Sequence, residues 1–165
     1  MTESANRPLR SPIELRHARV AVSVLFFTNG ALFAGLLPRY PEVIENLQLS
    51  NTAFGIAVAA FPFGALIAGL SAGALVRRFG SSRIAVAATL LSAVALLVAG
   101  SGANWFILAA GMLGAGAMDS ITDVAQKSHG LRVQRLYQRS ILNSFHAIWS
   151  FGAVTGGALG AAARR

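Results

Sequence analysis

Five apolar stretches, roughly Val20–Leu37, Ala53–Val76, Ile84–Ala99, Trp105–Val124 and Ile141–Ala163, fill most of this 165-residue chain. A bilayer's hydrocarbon core is about 30 Å thick, and a helix rising about 1.5 Å per residue crosses it in about 20 residues. Backbone amides in lipid have no water to bond, so each segment must satisfy its own, which selects helices. The chain reads as an all-α membrane protein with about five transmembrane helices. Its chemistry must lie in the few polar residues that those helices carry.

Charge placement supports this reading. Charged residues are only 12% of the chain, against about one quarter in soluble domains. The net charge of +8 would suit nucleic acid, but its distribution does not. Arg7, Arg10, Arg16 and Arg19 precede the first span; Arg77, Arg78 and Arg83 lie between the second and third; Lys127, Arg132, Arg135 and Arg139 lie between the fourth and fifth. Eleven of the fourteen basic residues therefore sit on alternate connections, which the positive-inside rule makes cytoplasmic. The expected topology puts the N-terminus in the cytoplasm, the last residues on the outer side, and the chain in a bacterial inner membrane as a multi-pass protein. Its partners are the lipid bilayer and a small solute, not nucleic acid. The chain has no cysteine, no HExxH and no serine elbow, so neither a metal, a cofactor nor an enzymatic role is expected.

Local signals divide the chain further. Residues 1–18 read as a polar cytoplasmic tail, disordered to about Pro12, and residues 19–165 as the transmembrane part. The first apolar run is too long for a signal peptide and lacks a small-residue cleavage site, so it is read as a retained helix. Pro38 and Pro41 should stop the first helix, Ser50 or Asn51 should cap the second, and Pro62 should bend it. Gly80-Ser81-Ser82 and Ser101-Gly102 mark tight turns, while 130–140 reads as a long connection. Small residues predict where helices meet. Gly152, Gly156 and Gly160 recur every four residues, as do Gly69 and Gly73. Such stripes serve either static packing or a sliding surface.

Intramembrane polar residues are the candidate path for a solute or proton: Asn29, Asp119, Asp123, Asn143, His146 and Trp149. Arg139, Asn143, His146, Ser150 and Gly157 fall within roughly 40° of one line on a helix. Asp119, Asp123 and Gln126 share a face of the preceding span, with Lys127 four residues after Asp123. Measured from Lys127 and Arg139 as interface markers, Asp119 lies about 12 Å deep and His146 about 10 Å deep. The two are expected to approach in an inner cavity. The alternative is an Asp123–Lys127 ion pair with His146 bonded to a carbonyl. Asn29 is expected either in that cavity or in a packing bond, and Trp149 either stacking on a ligand or packing. Trp105 reads as an interfacial anchor.

The run Gly73-Ala74-Leu75-Val76-Arg77-Arg78-Phe79-Gly80-Ser81-Ser82-Arg83 resembles the signature between helices two and three of the major facilitator superfamily, roughly G-x-L-x-D-R-x-G-R-R. Gly73, Arg77, Arg78, Gly80 and Arg83 stand on its positions. Asp123-Val124-Ala125 with Gly130, the Arg39-Tyr40-Pro41 turn and the run 143–152 (NSFHAIWSFG) resemble a bacterial inner-membrane branch related to fucose permease. Arg77 stands where the superfamily usually has an acidic residue, and Lys127 where the branch shows asparagine. The resemblance implies a fold of twelve helices in two halves, with substrate bound between them. On that basis the chain is an incomplete six-helix N-terminal bundle. The implied activity is secondary active transport of a small polar solute, a sugar being one class, with proton coupling through Asp119, Asp123 and His146. As a truncated or N-terminal segment it is expected not to transport alone. The alternative is a non-transporting fragment or subunit that assembles with a missing C-terminal half or another membrane chain.

Overall fold

The structure, a computed structural model, describes residues 12–163, and among these there is no strand. Five long helices carry the fold: α1 (Pro12–Gly35), α3 (Asn51–Phe79), α4 (Ser81–Gly100), α5 (Trp105–Tyr137) and α6 (Leu142–Ala162), with short α2 (Tyr40–Asn46) between the first two. Four segments combine the length and apolarity needed to cross a membrane: residues 13–46, α3, α4 and α5. Helix α6 is long enough at 21 residues. Its glycines, with Asn143, His146 and three hydroxyl residues, dilute its apolarity below that of the other four.

Local chemistry explains most helix ends. Ser50 Oγ accepts the Ala53 amide at 3.2 Å and starts α3, which runs on through Pro62. Asn104 Oδ1 accepts the Ile107 amide at 3.1 Å and starts α5. Each satisfies one amide that a helix start leaves without a partner. Gly80, at φ 89°, separates α3 from α4 within a single residue. That left-handed backbone is open to glycine because a Cβ would crowd the following carbonyl.

Three boundaries differ from the sequence expectation. Helix α1 begins at Pro12, within the stretch expected as tail; the part of that tail before Pro12 lies outside the described residues. Pro38 and Pro41 do end α1, but each also opens a further short helix, Leu37–Arg39 and α2. Proline lacks only an amide that the first helical turn leaves unbonded anyway. The expected long connection over 130–140 is mostly helix, since α5 continues to Tyr137. At 33 residues α5 is about 50 Å long, about 20 Å more than the hydrocarbon core, so its end carries Arg132 and Arg135 clear of lipid.

Many of the buried positions are small residues, and many large apolar side chains face outward. Ala57, Ala72, Ala85, Ala99, Ala115 and Ala125 are buried, whereas Leu70 is 88% and Phe106 76% exposed. In water such a surface would aggregate; lipid tails solvate it without penalty. The tightest pairings are α1 with α6, α3 with α5, and α4 with α5. Glycines make the first two possible. A Cβ on Gly152, Gly156 or Gly160 would overlap the carbonyl oxygens of Phe27, Ala31 and Gly35, and one on Gly30 that of Trp149. Between α3 and α5, Gly64 lies on the Leu113 carbonyl and Gly116 on that of Phe61. The Gly69–Gly73 stripe divides. A Cβ on Gly69 would meet Ser120 Oγ of α5 at 3.0 Å, but one on Gly73 would meet only Arg77 of its own helix, at 3.4 Å.

Candidate functional site

The backbone contact between α1 and α6 sets up the site. Because Gly30 has no side chain, α6 comes up against α1 at Trp149, and the neighbouring Asn29 side chain reaches the indole. Trp149 Nε1 donates to Asn29 Oδ1 at 2.7 Å, and Asn29 Nδ2 donates to Asp119 Oδ1 at 2.7 Å. One buried amide thus joins α1, α5 and α6. A primary amide suits the task because it carries an acceptor and a donor at once.

Around this chain of bonds lies a cavity of about 250 Å³, lined by Asn29, Asp119, Asp123, Gln126, Lys127, His146 and Trp149 with Phe26 and Phe33. The residues Asp119, Asp123, Gln126 and Lys127 follow one another at steps of 4, 3 and 1, so they form one stripe of α5. Lys127 Nζ donates to Asp123 Oδ2 at 2.7 Å, both side chains being a little under half exposed. Phe26 stacks on Phe145, with centroids 5.4 Å apart, and meets the edge of His146 at 5.5 Å. Phe33 is tilted against Trp149 at 5.8 Å.

Of the candidate path residues, Asn29, Asp119, Asp123, His146 and Trp149 line this one cavity, and Asn143 does not; it is exposed on α6. The expected Asp119–His146 approach takes another form. Asp119 is met by Asn29, and His146 Nδ1 lies 3.1 Å from the Leu142 carbonyl one turn back in its own helix. A carbonyl only accepts, so Nδ1 carries the proton in that contact. The residues of the loop signature lie elsewhere. Arg77 and Arg78 occupy the last turn of α3, where cations complement the helix dipole, with Arg78 5.2 Å over the Phe79 ring. Gly80 makes the turn, Arg83 is exposed at the start of α4, and Ser81 Oγ is 3.5 Å from His129 Nδ1 of α5.

Trp105, expected as an anchor, donates its indole N–H to the Ala53 carbonyl at 2.7 Å and ties the starts of α5 and α3 together. Two further positions were not among the candidate path residues. Gln134 Oε1 accepts the amides of Ile141 and Leu142, at 2.9 and 3.0 Å, and so caps α6 from α5. No sequence signal pointed to it while 130–140 read as a loop. Gln126 is 1% exposed, lines the cavity, and has an Oε1 without a hydrogen-bond partner among the described residues. Its place seven residues after Asp119, on the same face, was the available signal.

Comparison with known proteins follows from this geometry. The profile of the Major Facilitator Superfamily matches residues 22–163. An uncharacterized transporter of Sinorhizobium fredii, y4wD, is 30% identical over 139 residues, covering 84% of this chain and 37% of the relative. The enterobactin exporter EntS of Shigella flexneri is 25% identical over 162 residues, covering 94% of this chain and 39% of the relative. The enterobactin exporter EntS of Escherichia coli O1:K1 is 27% identical over 139 residues, 80% of this chain and 33% of the relative. The chain thus spans under two fifths of the length of these relatives. No solved structure matches it.

Proposed function

Because this multi-pass membrane chain belongs to the major facilitator superfamily, we propose that it supplies the N-terminal part of a secondary transporter carrying a small polar solute across the bacterial inner membrane. The observation that carries the reading is the Trp149–Asn29–Asp119 chain of hydrogen bonds, which ties three helices together at the wall of a polar cavity. Polar groups are costly in a bundle surrounded by lipid, and they persist where a solute path needs them. The EntS relatives, which are enterobactin exporters, favour export. A sugar rests on the branch resemblance alone, and proton coupling rests on Asp119, Asp123 and His146 facing one space. The basic connections support a cytoplasmic N-terminus.

A second reading has its own observation. Spanning 33–39% of its relatives' length, the chain would act as a non-transporting subunit of an assembly with another membrane chain. Proteoliposome flux separates the two. The chain alone, and the chain together with the product of any reading frame that continues past Arg165, are assayed against labelled sugars, amines and carboxylates. Flux is expected only for the combination, and Asn29→Ala should abolish it. Flux that is indifferent to Asn29→Ala and Trp149→Phe would remove this cavity from the path.

A further inference from the structure

The cavity's polar atoms are not balanced. Three donors are committed: Lys127 Nζ to Asp123, Trp149 Nε1 to Asn29, and Asn29 Nδ2 to Asp119. Several acceptors are not. Asp119 takes one hydrogen bond, on Oδ1, and Oδ2 takes none among the described residues. With Nδ1 of His146 turned to the Leu142 carbonyl, Nε2 is the ring nitrogen without a partner among the described residues. Gln126 Oε1 is buried with no partner among the described residues. As placed, that oxygen is closed off from the cavity, and a half-turn about the last torsion of Gln126, exchanging oxygen and NH2, would be needed to offer it to a ligand.

Charge leans the same way. Lys127 pairs with Asp123, which leaves Asp119 as the acidic group of the lining without a cationic partner. A carboxylate away from bulk water is costly until a cation pairs with it, and it repels an anion. The remaining walls are the rings of Phe26, Phe33 and Trp149, whose faces attract cations. At about 250 Å³ the space is enough for a small organic molecule.

Building on the transport reading above, we propose that this cavity takes a small organic ammonium compound. Its N–H groups bond Asp119 and Gln126, and its carbon skeleton lies against Phe26, Phe33 and Trp149. The test uses the chain in lipid nanodiscs, with Trp105→Phe leaving Trp149 as the one indole. Its emission is titrated with benzylammonium, benzyl alcohol, benzoate and glucose. Benzylammonium should give a saturable change, with benzyl alcohol and glucose at least about tenfold weaker and benzoate inactive. Asp119→Asn should weaken benzylammonium by about tenfold or more, and Gln126→Leu, which leaves the Asn29 chain untouched, by several-fold. Helical circular dichroism of each variant confirms folding. Glucose or benzoate binding as tightly as benzylammonium, or benzylammonium indifferent to both substitutions, would overturn the ammonium assignment while leaving the cavity a solute site. No saturable change with any probe overturns it too. The flux assay with Asn29→Ala then judges the transport reading separately.

Discussion

Asn29 and Trp149, 120 positions apart in the chain, are joined by a 2.7 Å hydrogen bond in which the indole N–H donates to the amide oxygen. The same amide donates to Asp119, so a single side chain on α1 holds α5 and α6 in register. Asn29→Ala strips a partner from both. With intramembrane hydrogen bonds each worth about 1 kcal/mol, and one of these on a carboxylate, the bundle should lose about 2 kcal/mol toward unfolding by SDS. In the Trp105→Phe background the Trp149 emission should shift as its N–H loses Asn29. An unchanged spectrum and midpoint would mean that the bond is not made in the membrane.

The α1–α6 contact gives a sharper pair of variants. Gly156→Ala puts a methyl into the Ala31 carbonyl, whereas the neighbouring Gly157→Ala meets nothing nearer than Ala34 at 4.0 Å. Over-packing of this kind costs about 1–3 kcal/mol, and a helical Gly→Ala change with room to spare is neutral or stabilising by up to about 1 kcal/mol. SDS unfolding midpoints should therefore fall for the first and hold or rise for the second. Equal effects would place the α6 contact face elsewhere.

The α5–α6 turn depends on Gln134. Gln134→Ala frees the Ile141 and Leu142 amides, and a lost cap costs about 1 kcal/mol. Amide exchange at those two residues should accelerate, while exchange in mid-α5 should not. Uniform acceleration along α5 would point to a general loosening instead of a lost cap.

Orientation is open to direct chemistry because the chain has no cysteine of its own. Single cysteines at Ser82 and Ser101, both exposed at opposite ends of α4, report the two sides of the membrane. A membrane-impermeant maleimide added to whole cells should label Ser101→Cys and spare Ser82→Cys. The opposite pattern would invert the topology that the basic connections imply.

Most spans, caps and turns were legible in the residue order because they depend on neighbours; the run 141–163 is not among the four segments long and apolar enough to cross a membrane, and 130–140 is mostly helix. Twenty apolar residues cross a bilayer wherever they occur, Ser50 caps the helix it precedes, and Gly80 turns where no side chain could. The same periodicity put Asp119, Asp123 and Gln126 on one face of α5 before any partner was known. What it could not say is which helix that face meets. That Asn29, and not His146, takes the Asp119 carboxylate depends on α1 lying against α6, and this in turn depends on backbones that Gly30, Gly152, Gly156 and Gly160 allow to touch. Glycine stripes look alike in a sequence, yet Gly69 meets a neighbouring helix and Gly73 does not. In lipid the apolar faces of all helices are equivalent, so pairing is decided by close fit and a few hydrogen bonds between distant residues, and these exist only once the bundle has formed.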